Sequence, residues 1–235
     1  MSETFREFAE LIPQKIINRV KKLNCALLCD GMMGTGIPRE GCMDAEIMPV
    51  NPKLMMVGTA MTIDTDNGDN FPIHVGTYSA KPGYVMVIDG KGYKERPYFG
   101  DLIMAAAQAM GIVGMVMDGY VRDTEGCLKL KFPVYARGIM QRGVIKKNPG
   151  VVNGTIKCGG VTVNPGDLVV GDYDGVTVVP RDRIEEVLAN AEKKQAYEKE
   201  REKTIKSYSK AKKEGKKKLP QLAPQWVLDL LAQQK

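Results

Sequence analysis

The sequence has one histidine and one tryptophan among its 235 residues. A lone histidine, His74, excludes a multi-histidine metal centre and leaves at most one imidazole for acid–base work. Cysteine is scarce as well: the five residues, at 25, 29, 42, 127 and 158, are odd in number and form no Cys-x-x-Cys pair. They are expected to be reduced, buried thiols rather than a disulfide framework or a zinc site, which points to the cytoplasm. No apolar run approaches the ~20 residues needed to cross a bilayer. The opening residues, Met1-Ser2-Glu3-Thr4-Phe5-Arg6-Glu7, hold no apolar signal core, so neither secretion nor a membrane partner is expected. Gly-x-Ser-x-Gly and P-loop motifs are absent. Gly90-Lys91-Gly92 lacks the third glycine and the downstream acid of a dinucleotide fingerprint.

What is present is an ordinary globular composition, 43% hydrophobic and 26% charged, in a chain long enough to bury a full core. The net charge of +6 is unevenly placed. Residues 192–218 carry twelve Lys/Arg against five Asp/Glu, a local +7 that leaves the rest at −1. A nucleic-acid-binding body is therefore not indicated. The Lys-rich run reads as a solvated helix face or, alternatively, as a polyanion-binding tail.

Residues 5–23 carry Phe5, Phe8, Ile12, Ile16, Ile17 and Val20 at amphipathic-helix spacing, interrupted near Pro13. The Gly-rich 31–41 stretch reads as a loop. Strands are expected at 57–63, 84–88, 112–117, 134–136, 161–163, 167–171 and 175–179, with a helix over 102–110 and another from Pro180 onward. Short strands interspersed with helices favour a mixed α/β layered fold. The organisation is a single catalytic domain over 1–191 and a basic helical extension over 192–235, broken at Gly215 and Pro220. The extension closes on an apolar cluster, Trp226, Val227, Leu228, Leu230 and Leu231, expected to dock on its own body or a neighbouring subunit.

The strongest chemical signal is Gly100-Asp101 followed by Arg122-Asp123, an acid 21 positions before an Arg-Asp pair. The intervening helix and strand fold back on themselves. That brings the helix start and the strand end to one sheet edge. Two carboxylates suit a hard cation, and a guanidinium grips a carboxylate in bidentate fashion. Free N–H groups at the helix start, over Leu102, Ile103, Met104 and Ala105, can hold an anion. The bland reading is a surface ion pair beside a helix-capping acid. Asp64–Asn70 resembles a calcium loop but has Asp69 and Val75 where an EF-hand needs Gly and Glu, so it reads as a tight turn. His74, in an apolar setting, reads as structural.

These landmarks resemble the family that contains regulator of ribonuclease activity A and the class II 4-hydroxy-4-methyl-2-oxoglutarate aldolases. Some members of that family carry an old demethylmenaquinone methyltransferase label. The resemblance rests on Val57-Gly58-Thr59-Ala60-Met61-Thr62, Gly68-Asp69-Asn70, His74, Pro82-Gly83, Gly100-Asp101, Asp118-Gly119 with Arg122-Asp123, Pro165-Gly166-Asp167 and Gly171-Asp172 with Asp174-Gly175-Val176. It covers roughly residues 25–190.

The resemblance implies a β/β/α swivelling-domain fold assembled as a trimer or hexamer with sites between subunits. It further implies a metal-dependent lyase that cleaves 4-hydroxy-2-keto acids to pyruvate, with oxaloacetate decarboxylase activity. In that reading Asp123 is the direct ligand of Mg²⁺ or Mn²⁺ and Asp101 holds metal-bound water. Arg122 binds the substrate carboxylate, and the backbone of Gly100 and Leu102–Ala105 completes the pyruvate pocket. An acid from a neighbour's C-terminal helix is implied too, with Glu198 fitting best and Glu192 and Glu200 as rivals. The ribonuclease-regulator branch typically has glycine where Asp101 stands. The alternative function is a non-catalytic regulator docking on an RNA-processing ribonuclease.

Overall fold

The computed structural model describes residues 4–233. The chain divides into two compact units, Met1–Ala191 and Glu192–Lys235. In chain order the elements are α1 (Gln14–Val20), α2 (Cys25–Met32), β1 (Met48–Pro49), β2 (Met56–Asp64), α3 (Phe71–Ser79), β3 (Tyr84–Asp89) and β4 (Pro97–Phe99). There follow α4 (Asp101–Ala109), β5 (Gly114–Val121), α5 (Thr124–Leu130), β6 (Val134–Ile139), β7 (Val151–Val152), β8 (Ile156–Cys158) and β9 (Val161–Val163). The last elements are β10 (Leu168–Asp172), β11 (Gly175–Val179), α6 (Ile184–Lys213) and α7 (Gln225–Gln233).

One mixed sheet runs in the order β1-β6-β5-β3-β2-β10-β11, with β4 added to β5 and β7 to β2. Its centre, β2-β3-β5-β6, is parallel, and β10 and β11 extend it antiparallel. The central strands are largely apolar and mostly buried because both faces are covered. On one face Met61 and Ile63 of β2, Met86 and Ile88 of β3, and Met115 and Met117 of β5 pack with Ile73 of α3 and with Ile103, Met104 and Ala107 of α4. On the other, Ala60, Val85, Val87 and Val116 meet the small β8–β9 hairpin through Ile156, Cys158 and Val163. Hairpin, sheet and helices form the three layers of a β/β/α fold. A third cluster seats α1, α2 and the first turns of α6 on Leu168, Val170 and Val179.

Helix α4 ends for a local reason. Gly111 takes φ +83° and sits so close to Pro82 that any side chain would collide. The Ile112 N–H returns to the Ala107 carbonyl at 3.0 Å, the bond that closes a Schellman-type terminus. The next strand, β5, therefore starts immediately.

Two expectations are corrected. Residues 5–13 are not helical: Phe5 bridges in parallel to Val152, and Phe8 stacks obliquely on Tyr84 with centroids 5.2 Å apart. Their apolar spacing serves an extended segment laid over the core, and helix begins only after Pro13. The cysteines are not all reduced, because Cys29 and Cys42 are joined as a disulfide. A turn at Pro38–Gly41, with Arg39 and Glu40 in left-handed conformation, brings their Cα atoms to 6.8 Å, within bridging reach. Their separation of 13 residues carries no sequence signal for this. Cys25, Cys127 and Cys158 are free and buried. Thiol titration of the denatured protein is expected to find three reactive groups without reductant and five after reduction. Five before reduction would contradict the pairing.

Among the described residues no helix is long and apolar enough to cross a membrane. In the C-terminal unit α6 is heavily charged and braced by pairs such as Lys203–Glu200 at 2.6 Å. Helix α7 carries Trp226, Leu230 and Leu231 exposed.

Candidate functional site

Asp101 opens α4, Arg122 and Asp123 follow the last residue of β5, and α5 begins just beyond. The two helix starts face each other because the Arg122 N–H donates to the Phe99 carbonyl at 3.0 Å, tying the end of β5 to the residue before Gly100. Asp123 adopts left-handed φ/ψ of 57° and 45°. This turns its carboxylate onto Gly100, where a side chain would overlap Asp123 Oδ2. Reciprocally, a side chain at Gly126 would overlap Asp101 Oδ2. Each acid thus occupies space left by a glycine of the opposite helix start. The buried Cys127 thiol registers both: burial first, then the charge of Asp101 and, less, of Asp123 push it up to about 11.

A cavity of about 250 Å³ opens beside this pair. Arg122, Asp123, Gly100, Leu102 and Ile103 line part of it. Arg122 Nε is buried and accepted by no hydrogen-bond partner, although Asp123 Oδ2 lies only 3.3 Å away. A buried N–H without a hydrogen bond is costly, and Arg122 is part of the cavity wall, where an anion could be held. Asp101 is absent from the lining. Its carboxylate is half-buried against Gly126 and makes no hydrogen bond or ion pair among the described residues.

The helix-start expectation is narrowed. The Met104 N–H is already bonded to the Gly100 carbonyl at 3.2 Å, and Met104 is fully buried in the core. Because an α-helix pairs each N–H with the carbonyl four residues back, Ala105 is engaged in the same way, leaving Leu102 and Ile103 as the usable donors. Glu198 sits exposed on α6 in the C-terminal unit.

The remaining wall was missed by sequence reasoning. Asn70, His74 and Tyr78 reach it from the start and outer face of α3, and Lys146 from an irregular segment. His74 therefore borders the cavity instead of serving only the core, and its ring stacks on Tyr78 with centroids 6.3 Å apart. Neither Arg96 nor the tyrosines at 93, 98 and 120 belong to this wall. Tyr98 is wholly buried and donates to the Gly90 carbonyl, and Arg96 donates to the Gly143 carbonyl. The one trace of this wall in the sequence was Asn70 and His74 four positions apart, a spacing that brings two residues to one side only where the segment is helical.

His74 is held below its usual 6.5, first by burial and then by the nearby Lys146 charge. The unfolded chain takes up this proton near the usual value and the folded chain only lower, so stability is lost as pH falls through that window. As the only histidine, its ring resonance is unambiguous. Proton NMR should give a midpoint below 6.5, moving up in Lys146→Gln; a midpoint at or above 6.5 contradicts this environment.

The cavity thus gathers the Asp123 carboxylate, the Arg122 guanidinium and the start of α4, with Asp101 seated behind them. The chain belongs to the RraA-like family (Aldolase/RraA), whose model matches residues 25–178. A "Putative 4-hydroxy-4-methyl-2-oxoglutarate aldolase" of Halalkalibacterium halodurans is 43% identical over 159 residues, spanning 68% of this chain and 76% of that one. An uncharacterised protein of Methanocaldococcus jannaschii is 33% identical, over 82% of this chain and 88% of its own. In fold, the chain is similar to Streptomyces coelicolor RraAS2, described as an unusual member of the RNase ES inhibitor RraA protein family. The two share 22% identity and a TM-score of 0.71, covering 80% of this chain and 96% of that structure.

Proposed function

We propose that the protein is a divalent-metal-dependent lyase that cleaves 4-hydroxy-2-keto acids to pyruvate by a retro-aldol reaction and also decarboxylates oxaloacetate. The observation that carries this reading is Arg122, whose Nε makes no hydrogen bond and is ion-paired only to Asp123, on a small cavity whose wall also holds the Asp123 carboxylate. About 250 Å³ suits a small acid rather than a drug-sized ligand.

The residues present fit a hard cation of the magnesium kind. Among the described residues no cluster of three His, Cys, Asp or Glu side chains can hold an ion. Magnesium needs less, commonly one or two carboxylates with water and substrate oxygens completing the shell. Asp123 would hold it directly, with the unpaired Asp101 carboxylate behind. Mg²⁺ or Mn²⁺ there would supply Lewis-acid stabilisation of the charge developing on the C2 oxygen.

Arg122 binds and orients the substrate's C1 carboxylate, joined by the Leu102 and Ile103 N–H groups. Its positive charge also opposes the charge that grows as the C3–C4 bond breaks. Asp101 positions the water that takes the C4 hydroxyl proton. Leu102, 81% exposed at the cavity mouth, is an apolar group poorly suited to water. A second copy of the chain covering it, in a trimer or hexamer, would shield the site and could bring Glu198 to it. A regulator of a ribonuclease, the reading favoured by RraAS2, would use the same exposed rim for docking without needing the acid pair.

Chelation is expected to abolish pyruvate release from 4-hydroxy-4-methyl-2-oxoglutarate, with Mg²⁺ or Mn²⁺ restoring it. Arg122→Ala should lower kcat/KM by on the order of 10²–10³. Full activity in EDTA with a borohydride-trapped lysine adduct would replace metal chemistry by a Schiff base. Capture of a ribonuclease without lyase activity would favour the regulator. Separately, Gly126→Ala should displace Asp101 and weaken metal-dependent activity while leaving the fold intact by circular dichroism; unchanged activity would remove Asp101 from the site.

A further inference from the structure

Asn70 occupies the position before the first residue of α3, where an asparagine normally caps the helix by accepting an early N–H. It does not cap. The Phe71 N–H goes instead to Asp69 Oδ1 at 2.9 Å. Asn70's own backbone is fully occupied: its N–H donates to the Ile145 carbonyl at 2.9 Å, and its carbonyl accepts from the His74 N–H at 3.1 Å. Only the side chain is left over. The residue is 4% exposed, and its Oδ1 is buried with no hydrogen-bond partner. It lines the same cavity as Arg122 and Asp123. Buried amides almost always find a partner, so one that does not needs an explanation.

We infer that Asn70 is a specificity-determining residue whose Oδ1 accepts a hydrogen bond from the C4 hydroxyl of the substrate. This rests on the lyase reading above. The chemistry of the ligand selects the group. In a 2-keto acid the C1 carboxylate and the C2 carbonyl only accept hydrogen bonds, and Arg122 with the helix-start N–H groups answers those. An orphan acceptor requires a donor, and the one donor of a 4-hydroxy-2-keto dicarboxylate is its hydroxyl. An amide oxygen is too weak a base to take the proton, so Asn70 orients the hydroxyl. As the C3–C4 bond breaks, its electron pair passes through C3 and C2 to the C2 oxygen. The hydroxyl proton leaves to the water positioned by Asp101, and C4 becomes a carbonyl. Protonation at C3 then yields pyruvate. Oxaloacetate has no such hydroxyl, and its decarboxylation does not use Asn70.

The test compares 4-hydroxy-4-methyl-2-oxoglutarate cleavage with oxaloacetate decarboxylation in one preparation, with Mg²⁺ present. Asn70→Ala should lower kcat/KM for the hydroxy acid at least about tenfold, with oxaloacetate turnover changed by less than about threefold. Asn70→Asp keeps an acceptor in the same shape, so its ratio of the two activities should stay near wild type even if both rates fall. It also serves if the alanine variant fails to fold. An equal loss on both substrates in Asn70→Ala would show that the amide reads the shared carboxylate and overturn the inference. No loss on either would do the same, as would a collapsed ratio in Asn70→Asp. A wild-type protein active on neither substrate would instead remove the lyase reading itself.

Discussion

The contact on which the site depends is the close approach of two helix starts, each with a carboxylate seated against a glycine of the other. Asp123 lies on Gly100, and Asp101 lies on Gly126. Neither glycine is needed for a left-handed backbone: neither has a positive φ. What matters is the missing Cβ. With a side chain at either position the acids would be pushed apart, and the cavity beside them would lose the wall that carries Asp123. The backbone bond from Arg122 N–H to the Phe99 carbonyl sets the spacing. The strain of a left-handed, non-glycine Asp123 is then borne by the surrounding framework. That framework is unusually well anchored, since β5 is buried along nearly its whole length between β3 and β6.

A division of labour follows from this geometry. The sheet and α4 supply the rigid half of the site: Gly100, Arg122 and Asp123, with the N–H groups of Leu102 and Ile103. Helix α3 and Lys146 supply the other half. There His74, the Lys146 charge and an asparagine that caps nothing border the same small space. In the proposed lyase the rigid half would answer the features common to every 2-keto acid, and the α3 half would tell one such acid from another.

The legible part of this arrangement was the part written in periodicity. Strands 57–63 and 84–88 and the 102–110 helix with its following strand are long apolar runs bounded by turns, and the fold-back between them placed Asp101, Arg122 and Asp123 at one edge. Helix α3 was illegible for a physical reason. Its residues, Phe71-Pro72-Ile73-His74-Val75-Gly76-Thr77-Tyr78-Ser79, are mostly poor helix formers without a clear polar face. It is helical because Ile73 and Gly76 pack on β2: a side chain at Gly76 would collide with Ile63. Lys146 lies in a segment with no regular structure and so no period to read. The Cys29–Cys42 bond depends on two consecutive left-handed residues in a turn, Arg39 and Glu40, which no propensity favours. The helix-start donors were over-counted for the opposite reason. The true helix begins at Asp101, one residue early, so Met104 already has a partner.

The proposed lyase needs a single pocket in which Arg122 and a divalent cation on Asp123 bind the same small dianion. Calorimetric titration with oxalate, a planar stand-in for the pyruvate enolate, tests that coupling most directly. Mg²⁺ is expected to tighten oxalate binding at least about tenfold, oxalate to tighten Mg²⁺ binding by the same factor, and Asp123→Asn to remove the coupling. Oxalate affinity that is the same with and without the metal would contradict it.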